Sequence, residues 1–247
     1  ANELSNDRPW QGTFYLVAIY KRALKPNEIT KHFEAGPGTK IEVAKKPEPK
    51  PEPELVGDPN IPRTGNGLQV LYDFANAGSS TIFDRAGRGK PIDLKIQNMN
   101  AVRRRPGALE IVNETVIASN ENVSRLTDAI RGTGEITIET WIRPENDRQE
   151  GPARIVTLSR DANSRNFTLG QEGNFYDVRF HTSSSSRNGQ PSVSTPRKSV
   201  ATQLSHVVYT RDRSGKARIF VNGRQRAEKQ QSGNLNGWDR GFRLGLG

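Results

Sequence analysis

Apolar and polar residues alternate with a period of two along many short stretches of this chain. Such alternation is typical of β-strands, because successive side chains point to opposite faces of a sheet. Clusters of Gly, Asn, Asp and Pro separate the stretches and indicate turns. The stretches with this pattern are 12–24, 67–74, 108–112, 135–143, 153–159, 166–171, 176–182, 204–211, 217–223 and 241–247. The pattern predicts an all-β protein built as a two-sheet antiparallel sandwich.

Two segments carry helical features instead. Residues 26–36 begin with Pro, have Glu28 in the first turn and end on Gly, which are positions that favour these residue types. Ile29 and Phe33 lie one helical turn apart, so both would face the sandwich. Residues 127–132 show the pattern of a further helical turn. We therefore expect one or two short helices beside the sheets.

A proline-rich stretch interrupts the strand pattern. Residues 45–54 have the sequence KKPEPKPEPE, in which alternating proline forbids a helix and removes every second donor of a β-ladder. Such a segment is expected to be an extended, solvated polyproline II spacer. The chain therefore divides into a strand and helix at 1–36, a linker at 37–65 and a main sandwich at 66–247.

Composition narrows the function. The chain has no Cys, which excludes disulfides, thiol catalysis and Cys-ligated metals. Its formal net charge is +10, but the basic residues are scattered and no aromatic residues interleave with the densest run, Arg103 to Arg105. We therefore expect no nucleic-acid partner. No apolar run of about 18 residues occurs, so we expect no membrane span.

Four segments together resemble the laminin-G-like, concanavalin-type lectin/glucanase superfamily. They are ITIETWIRP at 136–144, similar to its central strand; SHVVYTRDRSGKARIFVNGR at 205–224, similar to its hairpin; GTFYLVAIYKRAL at 12–24 with the following PNEI, similar to its closing strand and helix; and LYDF at 71–74, similar to its opening strand. The resemblance covers most of 1–36 and 66–247. It implies a jelly-roll sandwich.

The closing strand stands at an unexpected place in the sequence. The resemblance implies that it should come last, after the strand at 242–247, and pair with the opening strand. Here it comes first, so the strand at 68–74 would expose an unpaired edge without residues 1–36. The chain can be a window of tandem repeats, a subunit that donates 1–36 to a neighbour, or a circular permutant. The length of the linker excludes none of these, although a stiff charged spacer suits holding domains apart.

The residues expected to carry assembly lie on the closing strand and its helix. Strict alternation along the strand places Phe14, Leu16, Ala18 and Tyr20 on one face and Tyr15, Val17 and Ile19 on the other. Ile29 and Phe33 of the helix complete this set. Both faces of the strand are apolar enough to be covered.

We expect no enzymatic activity and no cofactor other than a candidate calcium ion. Glu135 and Glu139 lie four positions apart, about 13 Å along a strand, whereas the paired carboxyl groups of glycosidases lie about 5–9.5 Å apart. The resemblance implies calcium ligands on the closing strand, but Tyr15 and Leu16 stand there. Asp73 and Asp84 remain candidate calcium ligands. Asp84 has a plain alternative as the cap of a turn.

The three histidines, His32, His181 and His206, are far apart in sequence, and none has a partner at metal-ligand spacing. His206 lies in an apolar strand and resembles the hairpin histidine of the superfamily. We therefore expect it to make a structural hydrogen bond rather than to take part in catalysis.

Our first hypothesis is an extracellular or cell-surface structural or adhesive protein. In it, sandwiches joined by Pro-rich linkers would be completed by strand addition between identical copies or repeats, as an array or filament. The alternative is a carbohydrate-binding module for acidic glycans. A third hypothesis is an accessory domain of an enzyme. The candidate glycan-binding residues are Trp10, Trp238, Arg187, Arg197 and Lys198. For the two tryptophans, packing at the edge of the sandwich is the favoured alternative.

Overall fold

The computed structural model describes residues 9–38 and 63–247. Within them the chain forms strands and short helices in the following order, in which a 3-10 helix, Met99–Ala101, precedes β5: β1 (Gly12–Tyr20), α1 (Pro26–Ala35), β2 (Leu68–Tyr72), β3 (Thr81–Ile82), β4 (Leu94–Ile96), β5 (Val102–Arg105), β6 (Ala108–Ile111), β7 (Ile117–Ser119), α2 (Ser124–Thr133), β8 (Ile136–Pro144), β9 (Ala153–Asp161), β10 (Ser164–Glu172), β11 (Phe175–Phe180), β12 (Val193–Ser194), β13 (Ser205–Arg211), β14 (Lys216–Val221), β15 (Arg224–Gln230) and β16 (Arg243–Leu246). No helix in these two ranges is long and apolar enough to cross a membrane.

The strands form two sheets of eight strands each within the described ranges. The front sheet has the order β15-β14-β13-β8-β1-β6-β5, and β2 pairs with β1 beside β6. The back sheet has the order β12-β11-β10-β9-β16-β7-β4-β3. All strand pairs are antiparallel, and the sheets enclose one large apolar cluster. The predicted all-β jelly-roll sandwich is confirmed.

The first strand of the chain, β1, lies at the centre of the front sheet. One of its edges pairs with β8 along its whole length, from Gly12 opposite Pro144 to Tyr20 opposite Thr137. Its other edge is shared, since β6 pairs with its beginning and β2 with its end. The opening and closing strands therefore lie side by side, as expected. The chain's own segment fills this place, and it joins the two halves of the front sheet.

A β-bulge at Tyr15 changes which residues of β1 share a face. Phe14 lies opposite Ile142 and Leu16 opposite the next residue, Trp141, so Tyr15 is an extra residue without a partner in the register with β8. One extra residue shifts the alternation by one. The assignment from strict alternation is therefore wrong before the bulge: Phe14 joins Val17 and Ile19 between the sheets, and Tyr15 packs beside Leu16 on the outer face.

The outer face of the front sheet carries a second, smaller apolar cluster beneath α1. Ile29 of the helix is fully buried in it, and Phe33 stacks on Trp141 with ring centroids 5.9 Å apart. Ile29 thus faces the sandwich as predicted, whereas Phe33 lies against the Trp141 ring and stays 36% exposed. The helix begins at Pro26 and ends before Gly36, which has a φ of 69°. The cluster covers the outer side of β1 as the main core covers its inner side.

The predicted linker at 37–65 is described only at its two ends. Residues 39–62 lie outside the described residues. Arg63, which the linker assignment placed in a solvated spacer, is instead only 1% exposed and packs against the outer face of the front sheet.

Candidate functional site

A buried polar cluster lies between α1 and the outer face of the front sheet. We call Glu139, Arg63, His32, His206 and Tyr20 the Glu139 cluster. Glu139 comes from the middle of β8, His206 from the start of β13 and Tyr20 from the end of β1, whereas His32 lies on α1 and Arg63 follows the linker. All five side chains are buried. Distant parts of the chain therefore meet at a single carboxylate.

The carboxylate of Glu139 accepts four polar contacts. Its Oε2 atom accepts from His32 Nδ1 at 2.9 Å and from the Tyr20 hydroxyl at 3.3 Å. Its Oε1 atom accepts from His206 Nε2 at 2.8 Å and forms an ion pair with Arg63 Nη2. A carboxylate offers about four lone-pair sites. The hydrogen-bonding capacity of Glu139 is therefore used within the protein, and no site is left to abstract a proton or to bind a ligand.

The hydrogen bonds of His32 determine its protonation state. The backbone N–H of Thr64 donates to Nε2 at 3.1 Å, so Nε2 carries no proton and Nδ1–H donates to Glu139. Burial first, and the charge of Arg63 second, lower the pKa of His32 to about 3. The same two causes hold the pKa of His206 well below its usual range. Both imidazoles are therefore neutral in the folded protein.

Arg63 connects Glu139 to the end of α1. Besides its ion pair, its Nη1 atom donates to the carbonyl of Gly36 at 2.9 Å and lies 3.4 Å from that of His32. Burial lowers the pKa of Arg63 below its usual value. A buried ion pair is costly to break, since removing one partner leaves the other charge uncompensated, at about 3–5 kcal/mol. The pair therefore holds the helix end on the sheet.

Aromatic rings extend the cluster on one side. The Trp141 ring stacks on the His206 ring at a centroid distance of 4.8 Å, and Phe33 stacks on both rings. The Phe33 ring also lies close to Gly223, where a Cβ would be 3.2 Å from it. Gly223 has a φ of 74°, so both its conformation and this close approach favour glycine. The helix is thereby held through packing as well as through charge.

A surface cleft of about 430 Å³ opens beside the cluster. Its lining includes Lys31, Arg88 and Asn66, which are exposed, and Arg63 at its base. Glu28 also lines it, but Arg22 neutralises that carboxylate with two contacts of 2.7 and 2.8 Å. The balance of charge around the cleft is therefore positive, which favours an anionic group.

Two of the predicted glycan-binding residues are not available to a ligand. Trp10 is fully buried and donates from Nε1 to Gln171 at 3.0 Å. Trp238 is 3% exposed, and its Nε1 donates to the carbonyl of His181 at 2.7 Å while its ring packs on Phe180. These rings are therefore not available to stack on sugars, and packing at the edge of the sandwich, the favoured alternative, describes them. Each indole finds a partner for its N–H inside the fold, so the ring is buried at the edge of the sandwich.

The three basic residues of that predicted set are exposed but do not converge. Arg197 lies over the ring of Phe175 at 5.8 Å, and the neighbouring Lys198 has a φ of 63°. Arg197 and Lys198 follow β12 in the sequence and lie in space next to the first residues of β11. Arg187 belongs to the loop after β11, where its carbonyl accepts from Arg165. The predicted set therefore does not form one surface.

The residues predicted to bind calcium do not fit a calcium site. The carboxylate of Asp84 accepts the backbone N–H groups of Leu71 and Ala86 at 3.0 Å and of Ile92 at 3.1 Å, and it pairs with Arg125 at 3.3 Å. Asp73 pairs with Arg85 at 3.0 Å. Within the described ranges no three His, Asp or Glu residues are placed to hold one ion. Asp84 instead caps a turn by accepting backbone N–H groups, which is the alternative expected for it from the sequence.

The sequence alone did not predict the Glu139 cluster. Glu139 was assigned to a strand position, and His206 was expected to make a structural hydrogen bond, which it makes to Glu139. A charged residue in the middle of the apolar strand ITIETWIR was the available indication, because a buried carboxylate needs partners. Its companion Glu135 is also engaged, since it accepts from the backbone N–H of Ala23 at 3.1 Å.

The neutral histidines predict acid sensitivity. In the unfolded chain a histidine binds a proton below a pH of about 6.5, whereas His32 and His206 stay neutral in the fold. The unfolded state therefore binds more protons, and stability falls as the pH falls below about 6.5. Each histidine contributes about 1.4 kcal/mol per pH unit. We expect the free energy of unfolding, measured in urea, to fall by about 2.4 kcal/mol between pH 6 and 5, slightly less than the limit for two histidines because the unfolded imidazoles are still partly neutral at pH 6.

Two variants separate this effect from other titrations. His32→Asn keeps an N–H donor toward Glu139 without a titrating ring, so it should remove about half of the slope. His181→Asn removes the third histidine, which lies outside the cluster, and serves as the control. Carboxyl groups with lowered pKa values, such as Glu28 and Asp212, contribute mainly below pH 5. Equal slopes in all three proteins would contradict the assignment.

We compared the chain with known proteins by sequence and by structure. No curated protein shows significant sequence similarity to the chain. Among solved structures, the binding domain of botulinum neurotoxin serotype C1 has 13% sequence identity and a TM-score of 0.46, with 70% of this chain and 41% of that one covered. The binding domain of botulinum neurotoxin DC, in complex with rat synaptotagmin II, has 15% identity and a TM-score of 0.45, with 70% and 42% covered. The chain thus spans less than half of the length of these domains.

A family model gives the assignment. The laminin G model of the concanavalin A-like lectin/glucanases superfamily matches residues 118–247, which is more than half of the chain. The matched part runs from β7 to the end of β16 and includes Glu139, Trp141 and His206. The chain belongs to the concanavalin A-like lectin/glucanases superfamily.

Proposed function

We propose that this protein is a non-catalytic structural or adhesive module of the extracellular space or cell surface, in which sandwiches joined by Pro-rich linkers are completed by β-strand addition. The observation that carries the proposal is the place of β1. In the sequence, β1 precedes the Pro-rich stretch, whereas every other described strand follows it. In the structure, β1 is nevertheless a central strand of the front sheet. The strand that completes the core is thus separated in sequence from the rest of the sandwich.

The contacts of β1 support strand addition as the means of assembly. The strand pairs with neighbours on both of its edges, so main-chain hydrogen bonds provide affinity. Its side chains enter apolar clusters on both faces, so they provide specificity. These two properties make the segment a suitable donor.

The outer edge of the front sheet is, by contrast, unsuited to assembly. Its last strand, β15, is polar and mostly exposed, and Arg224, Arg226 and Lys229 are charged. Charged edge strands oppose pairing with another chain. Strand addition would therefore be directed to the place of β1 rather than to this edge.

The Glu139 cluster supports a non-catalytic role. Both oxygen atoms of Glu139 are engaged by groups of the protein, and Glu135 bonds the backbone of Ala23. Because neither carboxylate is free to act on a substrate, the cluster is suited to holding the segment in place.

Deletion of residues 1–38 tests the proposal. Burial of one large apolar side chain contributes about 1.5–3 kcal/mol, and Phe14, Val17, Ile19 and Ile29 are all fully buried. Their sum is comparable to the whole stability of a domain, about 5–15 kcal/mol. We expect the truncated protein to be insoluble or to lack fixed tertiary packing, as judged by near-ultraviolet circular dichroism.

A peptide of residues 9–38 should restore that signal when it is added during refolding. The matched control is the same peptide with Ile19→Asp, which places a carboxylate between the sheets and should fail. A truncated protein that stays soluble and keeps the melting temperature of the full chain would disprove the proposal.

A second candidate function is binding of acidic glycans, because the cleft beside the cluster is positively charged. Lys31 and Arg88 are its exposed cations. Lys31→Glu together with Arg88→Glu should abolish binding to an immobilised heparin oligosaccharide at about 0.15 M salt. The control Arg226→Glu has half of that charge change at the β15 edge and should retain binding. Equal loss in both variants would indicate only non-specific attraction to a basic protein.

A further inference from the structure

Both ends of the segment 9–38 lie close to the main sandwich. We call its place in the front sheet, between β8 on one side and β2 with β6 on the other, the β1 slot. At the start of the segment, Pro9 forms a bridge to Arg154. The end of β16 lies beside it, since Gly247 donates to the carbonyl of Ile155 at 3.3 Å. A Cβ on Gly247 would be 3.8 Å from the carbonyl oxygen of Trp10.

The other end of the segment also lies next to the main sandwich. The carbonyl of Gly36 accepts from Arg63 at 2.9 Å, so residues 36 and 63 are in contact. The chain between them would span on the order of 80 Å as an extended polyproline II segment, at about 3.1 Å per residue. At that length it is far longer than closure within one chain requires. That length suits a spacer between two sandwiches.

We propose that the β1 slot takes the segment 9–38 of a second copy of this chain, which follows the first copy head to tail. The second copy would enter where Gly247 and Trp10 meet. The Pro-rich stretch of the second copy would then lead to its own sandwich. This inference rests on the proposed function and names its partner, a further copy in series.

The Glu139 cluster divides in a way that suits such an arrangement. Glu139, His206 and Arg63 belong to the accepting copy, whereas Tyr20 and His32 arrive with the incoming segment. Arg63 of the accepting copy would hold the end of the incoming helix through the carbonyl of Gly36, as it does here. An empty slot would leave the ion pair of Glu139 and Arg63 uncovered. The cluster therefore favours a filled slot.

Cysteine pairs in a fusion of two full copies test the proposal, because the chain has no Cys of its own. In this fusion Gly247 of the first copy is joined to Ala1 of the second. Thr13 and Glu110 are direct cross-strand partners of β1 and β6. Antiparallel partners have Cα atoms about 4.5–5.5 Å apart, within the range of a disulfide.

Two versions of the fusion carry Thr13→Cys in the second copy. One adds Glu110→Cys in the first copy, and the other adds it in the second. We expect the first version to oxidise to a disulfide and the second to keep two alkylatable thiols by mass spectrometry. The reverse result, or equal oxidation of both versions, would overturn the proposal.

A second pair keeps the test valid if Glu110→Cys disturbs folding. Arg143 is exposed and lies opposite Thr13 on the other edge of β1, so Arg143→Cys replaces Glu110→Cys in both versions. The two failures are distinguishable. Closure within each copy would overturn the serial arrangement but leave the segment essential, whereas a truncated protein that is stable without the segment would overturn the proposed function itself.

Discussion

The structure depends on the burial of one carboxylate. Glu139 lies in the middle of an apolar strand with no exposed surface, where an isolated charge would cost several kcal/mol. The fold compensates with donors from β1, α1, β13 and the residue that follows the linker. Each donor brings its own element to the same point. The requirement to satisfy Glu139 thus positions the segment 9–38 and Arg63 together, and the outer apolar cluster forms around them.

Burial on both faces explains why β1 can be a central strand although it precedes the Pro-rich stretch in the sequence. A central strand needs partners on both edges and cover on both faces. The main core covers its inner face, and α1 with the second cluster covers its outer face. The bulge at Tyr15 lets both faces remain apolar while Phe14 points inward. The segment therefore acts as a single unit that enters the sheet with its own cover.

Local pattern was enough to predict much of this fold. The long alternating strands such as β8 and β13 are where the sequence places them, and α1 begins and ends at its predicted residues because Pro26 and Gly36 have strong local preferences. The strand β15 was missed, because an exposed edge strand shows no apolar alternation. The bulge at Tyr15 was missed as well, since nothing in an apolar run indicates one extra residue.

The site was harder to predict for a different reason. Residues 32, 63, 139 and 206 are separated by long stretches of sequence and come together only through the topology of the sheet. Arg63 in particular follows a Pro-rich stretch of sequence and carries no local indication that it is buried. Trp10 and Trp238 were candidate glycan-binding residues because they stand in loops, although packing at the sandwich edge was favoured; their N–H groups have partners inside the fold. Position in the sequence did not reveal these partners.

Hydrogen exchange along β1 tests the central claim most directly. If the segment is an integral part of the core held by Glu139, the backbone amides of Val17 to Tyr20 should exchange only through global unfolding. Their protection should then equal that of Ile138 to Ile142 in β8, the strand beside them. Fast exchange along β1, with full protection retained in β8, would show that the sandwich is stable without its first strand and would contradict the account.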